Sequence, residues 1–347
     1  MGAVVLLWLL TFMLPRIPAV QTFLGEKVST LLAETLGTNV SVGRIDLQLP
    51  SHIIVDELQV ADQQGRDMLR VGRVAASIDI LPLFDGKIRL SSAQLFGLRA
   101  HITQRDAQSP LNCQFVIDSL QSKDTLSHTP LDLHITSFII RHGEVTYDRF
   151  DMPPSHGFSP YHVNLSELST NIKLNRLTDD SLHVDVKRMS FVAGKGTSTF
   201  HVKNLALGLS ATNGRLQLRD FQLLLPHSEL RSPQSTFIYT QAADSRLLTA
   251  LYDLNLTGRV TPSDFAWFYP RKIAFNSPLT LDLSAKGTER QGKAAVNIST
   301  GHNDISLNAD ATLYDILNNP HADIHIHNLR ASESTLAALR DNGLHKG

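Results

Sequence analysis

The sequence predicts a mainly β fold with helices confined to a few stretches, and three observations predict it. Apolar and polar residues alternate with period two through most of the chain from Val40 to Ile326, the signature of strands with one greasy and one wet face. Turn chemistry punctuates the runs at Leu49-Pro50-Ser51, Asp62 to Gly65, Leu81-Pro82 and Asp85-Gly86. The alternation also changes parity in three-residue steps, from Val71 to Val74 and from Leu90 to Ala93. Each such step requires a turn, a bulge or a corner, because it would otherwise swap the sheet face.

Met1 to Leu14 is nearly all apolar, with Val4, Leu7, Trp8 and Phe12 supplying its bulk. Residues 1–18 are therefore expected to form a membrane anchor, although the run is short of the roughly 20 residues that span a bilayer. No basic residue precedes it, as one would in a signal peptide. Residues 19–37 read as an amphipathic helix: Val20, Phe23, Leu24, Val28, Leu31, Leu32 and Leu36 share a face, and Gly37 suits a left-handed C-terminal cap. That face is expected to lie on a bilayer, to plug the end of the sheet, or to pack on its own protein.

Strands begin after Gly37. A first β block, 38–130, carries Val40, Val42, Val74, Ile78, Ile80, Ile88 and Leu90 on its greasy face. The second, 131–347, carries Leu133, Ile135, Val184, Val186, Leu205, Leu207, Leu281 and Leu283. On this reading there are roughly twenty strands of about five to seven residues. Leu111 to Leu120, Pro262 to Phe268 and Ser332 to Leu339 read as short helices, the last capped by serine.

Composition excludes several function classes. Of the 347 residues 42% are hydrophobic and 19% charged, so the chain folds rather than staying disordered. The net charge is −1 with the basic residues scattered, which argues against a nucleic-acid surface. Cys113 is the single cysteine, so no intrachain disulfide forms and stability rests on burial. Aromatics are 7%, so aliphatic side chains must line the inward faces.

No HExxH, GxSxG or dinucleotide glycine fingerprint occurs, and Gly194 to Thr197 has the wrong spacing for a phosphate loop and reads as a turn. His321, Asp323, His325 and His327 share one strand face opposite Ala322, Ile324 and Ile326. Imidazoles spaced by two can ligate a metal, but a polar face turned to water accounts for them. A chain without catalytic residues, cofactor or metal is expected.

Each inward Val, Leu or Ile gains roughly 1.5–3 kcal/mol on leaving water, so the greasy face must be covered. It can fold into a sandwich, close into a barrel, or curl into a trough filled by something else. Missing aromatic girdles argue against an outer-membrane barrel. A trough has an energetic use: a two-chain lipid crossing water exposes about thirty methylenes at about 0.8 kcal/mol each, a barrier above about 20 kcal/mol. Composition does not choose between trough and sandwich.

An ordered series of segments carries a resemblance. After Leu36-Gly37 come Val40-Ser-Val42-Gly-Arg-Ile45, Asp56-Glu-Leu-Gln-Val60-Ala-Asp62, Leu69-Arg-Val-Gly-Arg-Val74 and Ile78-Asp-Ile80-Leu-Pro-Leu83. Phe138-Ile-Ile-Arg-His-Gly143-Glu-Val-Thr-Tyr-Asp148 follows. Over roughly residues 15 to 230 the chain resembles the opening of AsmA-like proteins, in particular the TamB (translocation and assembly module) branch of Bacteroidota. The resemblance implies an elongated, curled antiparallel sheet, a repeating β-groove behind a membrane helix and an amphipathic helix. It also implies a single-pass inner-membrane anchor, with the bulk in the periplasm of a Gram-negative bacterium. The groove would carry phospholipid between inner and outer membranes, and a further C-terminal region would meet an outer-membrane barrel protein. The alternative it leaves is a structural or assembly module for outer-membrane protein insertion or secretion, without lipid transport. The chain then looks like the N-terminal part of a longer protein.

Overall fold

The computed structural model describes residues 17–48, 51–79, 88–121, 131–154, 158–178, 181–195, 198–212, 214–241, 247–268, 275–301, 304–316 and 319–333. They are mainly β, with sixteen mostly antiparallel strands and few helices. By contact the chain divides into two compact units, Met1–Ser155 with Ser159–Asn171, and His156–Phe158 with Ile172–Gly347.

The first unit opens with helix α1 (Pro18–Leu36). Proline sits in its first turn, where a missing N–H leaves no intrahelical bond unmade. Gly37 ends it at φ 63°, and the Thr38 N–H donates to the Ala33 carbonyl at 3.3 Å. The helix packs on β1 (Val40–Ser41) and β2 (Arg44–Gln48). It does so through Gln21, Gly25 and Ser29, residues one turn apart. Gln21 and Gly25 are buried, the Gln21 amide donates to Asp46 at 3.3 Å, and Ser29 Oγ accepts the Val42 N–H at 2.9 Å. A small and polar stripe thus docks, while Phe23 and Leu31 of the expected apolar face remain exposed.

No helix among the described residues is long and apolar enough to cross a membrane. This corrects the expected single-pass inner-membrane anchor: α1 has the length but carries Glu26, Lys27 and Glu34, whose burial in hydrocarbon is costly. Val4, Leu7, Trp8 and Phe12 lie outside the described residues.

β1 and β2 both pair with β3 (His52–Ala61), which leads by hairpins to β4 (Asp67–Asp79) and β5 (Ile88–Gln104). Helix α2 (Gln114–Gln121) separates β5 from β6 (Leu131–Arg149), and β7 (His162–Thr178) follows. β5 and β6 run parallel, which corrects an antiparallel arrangement throughout. The connection through α2 is long enough to return the chain to the starting end, as a parallel pair requires.

The strands are also fewer and longer than expected; β4 has 13 residues and β5 has 17. The reason lies in the parity steps, which fall inside strands rather than at turns between them. Val71 opposes Leu58 and Leu98, while Val74 opposes Val55 and Leu95. Between them Glu57 (φ 57°) and Gly97 (φ 65°) take left-handed conformations level with Gly72, and His142 (φ 54°) does so in β6. Paired strands carry equal numbers of residues through the step, so the register is kept while the apolar side chains return to the face they would otherwise leave. The step from Leu90 to Ala93 coincides with the register shift at Ser77/Ile78.

In the second unit every strand pairs antiparallel with the next: β8 (Ser181–Lys195), β9 (Ser198–Thr212), β10 (Arg215–Leu224), β11 (Glu229–Gln241), β12 (Leu247–Val260), β13 (Leu279–Thr288), β14 (Gln291–Thr300), β15 (Ile305–Tyr314) and β16 (His321–Ala331). Gly194 to Thr197 falls at the junction of β8 and β9. Pro262–Phe268 forms a 3-10 helix after β12. The helix expected over Ser332 to Leu339 lies outside the described residues from 334 onward.

Candidate functional site

The second unit aligns its apolar side chains into rows that cross the strands. Met189 opposes Leu205, which opposes Leu223, and the series continues through Leu230, Gly258, Leu281, Ile298, Leu307 and Leu329. A parallel row runs Leu182, Ala211, Leu216, Phe237, Tyr252, Gly287, Gly292, Leu313 and Ala322. Every member of either row is apolar, aromatic or glycine. At about 4.8 Å per strand a row from β8 to β16 extends roughly 38 Å, longer than the hydrocarbon core of a bilayer at about 30 Å.

The other face carries rows such as Asp253, Lys286, Lys293, Thr312 and Asp323, and Thr257, Asp282, Asn297, Asn308 and Asn328. Lys286 meets the Asp253 carboxylate at 2.7 Å, which offsets the repulsion from Lys293 directly opposite. A cavity of about 500 Å³ is lined by Asp253, Lys286, Lys293 and Asp310 together with Leu254, Ala285, Ala294 and Ala311. His321, Asp323, His325 and His327 are exposed here; His327 Nε2 lies 2.5 Å from Asp310 and His321 stacks on Tyr314.

The apolar face is only half dry. Leu281, Leu283, Val296, Ile298 and Leu307 are half-buried, and at the last strand Ile324, Ile326 and Leu329 are 68%, 53% and 64% exposed. Among the described residues of this unit the buried hydrophobics are Ala193, Val202, Leu225, Tyr252, Trp267 and Ala309. No second sheet lies over the rows among the described residues.

One end of the face is stoppered. The 3-10 helix Pro262–Phe268 packs on β9 and brings Trp267 and Phe268 against Phe200, with ring centroids 6.2 and 5.0 Å away. Phe158 joins at 5.1 Å from both. Asp264, in the same helix, is buried and accepts the His227 N–H at 2.8 Å and His227 Nδ1 at 3.0 Å. Burial pushes its carboxyl up, but bonds from Ser228 and His227 outweigh that and hold it below the usual carboxylate range. This network ties the β10–β11 turn to the stopper.

In the first unit the corresponding rows are likewise half-buried, with Val60 and Ile140 their buried members. Val60, Leu69, Ala100 and Val145 form one and Val55, Val74, Leu95 and Ile140 another. Val60, Val71, Ala76, Ala93, Leu98 and Ile140 are buried. A cavity of about 790 Å³ opens at the loop end of this unit, with Arg66, Arg105 and Asp118 beside Phe115 and Phe150.

Among the residues expected to line a groove, Val42 is buried and Val40 and Val74 are half-buried in the first unit. Val184, Val186, Leu205 and Leu207 are half-buried in β8 and β9, where Val186 opposes Leu207. Leu281 and Leu283 share the face of β13. For Ile78, Ile88, Leu90, Leu133 and Ile135 only the backbone is described; Ile78, Leu90 and Leu133 are consecutive partners across β4, β5 and β6. Ile80 lies outside the described residues. Sequence reasoning did not single out Ile298, Leu307, Leu223 or Leu230, whose membership in the row follows only from register. It also missed the aromatic stopper, for which the cluster Phe265, Trp267 and Phe268 was the available signal.

Comparison of the chain with protein-family models, with curated proteins and with solved structures returns no match.

Proposed function

We propose that this chain is a non-enzymatic lipid carrier of the AsmA-like, TamB-type kind, whose apolar sheet face shields phospholipid acyl chains during passage between membranes. The observation that supports it most is the pair of nine-membered apolar rows in the second unit, most of whose members are half-buried or exposed, with no second sheet over them among the described residues. A sheet that curls about its guests as a groove covers such a face without more polypeptide. Acyl chains supply the missing hydrocarbon contacts at about 25 cal/mol per Å² removed from water, and the opposite polar face keeps the particle wetted.

Photocrosslinking tests the reading. A photoreactive residue at Leu281, Leu283 or Leu307 is expected to capture phospholipid from mixed vesicles, and one at Asp282, on the other face, is expected to capture little. Equal capture on both faces overturns the proposal. Capture of protein alone at the apolar positions supports the assembly-module reading in its place.

A further inference from the structure

We infer that His162 is an imidazolium clasp, which holds the turn between β6 and β7 closed at neutral pH and lets it go as pH rises. The inference concerns the first unit alone and does not rest on the lipid reading. His162 is the first residue of β7, and its ring reaches back over the turn. Nδ1 lies 2.9 Å from Asp148 Oδ1, near the end of β6, and Nε2 lies 2.7 Å from the Met152 carbonyl oxygen.

Both partners are acceptors with no proton to offer. A neutral imidazole has one N–H and one bare nitrogen, so it satisfies one partner and sets a lone pair against the other. The protonated ring donates to both, and the site therefore selects the charged form. The bonds to Asp148 and Met152 accordingly hold the His162 pKa above the usual histidine value, against a smaller opposing effect of desolvation. Among the described residues the other charged and titratable groups of the turn engage one another. Arg149 on β6 donates to Asp151 at 2.8 Å and lies over the Tyr161 ring at 4.1 Å. Main-chain bonds hold the turn as far as Asp151: the Arg149, Phe150 and Asp151 N–H groups donate to the Tyr161, Gln104 and Arg105 carbonyls at 2.9, 3.0 and 3.2 Å. Beyond that point the Met152 N–H makes only a longer bond, 3.3 Å, to the Arg149 carbonyl. Pro153 and Pro154 follow and have no N–H to contribute. His162 is thus what ties the Met152 end of the turn to β7. Phe150, two residues earlier, lines the cavity of about 790 Å³, so the clasp steadies one rim of it.

An NMR titration of the full chain tests this. The folded pKa is raised, so the clasp is fully closed below the unfolded value of about 6.5 and is lost as pH rises through the folded value. The His162 ring signal, assigned by its loss in His162→Gln, is expected to titrate with a midpoint above about 6.5. Protection of the Met152 amide, taken as the intrinsic exchange rate over the measured one at each pH, is expected to fall several-fold through that same midpoint. Asp148→Asn removes the carboxylate charge and is expected to lower the midpoint, carrying the loss of protection with it. In His162→Gln the protection is expected to be low and indifferent to pH across this range. A His162 midpoint at or below about 6.5 overturns the inference. So does Met152 protection that ignores the midpoint in the wild type, or that stays put when Asp148→Asn moves it. Unchanged circular dichroism of the variants excludes misfolding as the cause.

Discussion

Tyr252 shows how one side chain makes two neighbouring strands possible. Its row partners in β13 and β14 are Gly287 and Gly292, and a Cβ on Gly292 would sit 1.9 Å from the Tyr252 hydroxyl. The ring lies over two glycines and restores the apolar cover they lack. Its hydroxyl is buried with no hydrogen-bond partner among the described residues, and burial pushes the phenol's pKa up. Tyr252→Phe is therefore expected to be neutral or to stabilise by up to about 1 kcal/mol in urea unfolding. Gly287→Ala, whose Cβ would meet Gly292 Cα at 2.2 Å, is expected to cost about 2 kcal/mol or more. Asp264 carries the pH dependence. Its carboxyl titrates lower in the folded chain than in the unfolded one, so its contribution is full above the unfolded value of about 4 and lost as pH falls through the folded value. Melting temperature should thus fall on acidification in that window, and Asp264→Asn, costing about 1–3 kcal/mol at neutral pH, should reduce that slope.

At the scale of the element, α1 and the long strands define how far the sequence was legible. Strand character, the polar face of β16 and the capped end of α1 follow from period and cap chemistry. The three-residue steps required a turn, a bulge or a corner, and between Val71 and Val74 the strand runs on in unbroken register. What the steps did not reveal was that strands continue through them, which requires knowing that Glu57 and His142 accept positive φ. The parallel pairing of β5 with β6 was hidden too, because alternation is the same in either direction. For α1, hydrophobic period did not name the docking stripe: Val20, Leu24, Val28, Leu32 and Leu36 are half-buried beside it, and Phe23 and Leu31 are exposed. Its sheet contact is chosen by size, since a Cβ on Gly25 would come 3.2 Å from the Gly43 carbonyl oxygen. Gly25→Val should consequently lift the helix, costing about 1–3 kcal/mol and raising amide exchange at Val42, whose N–H bonds to Ser29.

At the scale of the molecule, both units repeat one pattern of mostly half-buried apolar rows. Each has a few buried members, Val60 and Ile140 in the first and Tyr252 in the second, and the second unit closes one end with Phe158, Phe200, Trp267 and Phe268. The lipid reading belongs at this scale, because no single residue binds and the rows act jointly. Replacing Leu281 and Leu283 together by Asp should therefore lower phospholipid capture at Leu307 several-fold while the fold, read by circular dichroism, persists. The strictly sequential pairing from β8 to β16 has a consequence for ancestry. Reach along the sheet is counted in whole hairpins, each worth two strand spacings or about 10 Å, and none has to be threaded past another. A duplication or loss of one hairpin rescales the second unit like a tape measure, leaving the stoppered end where it was.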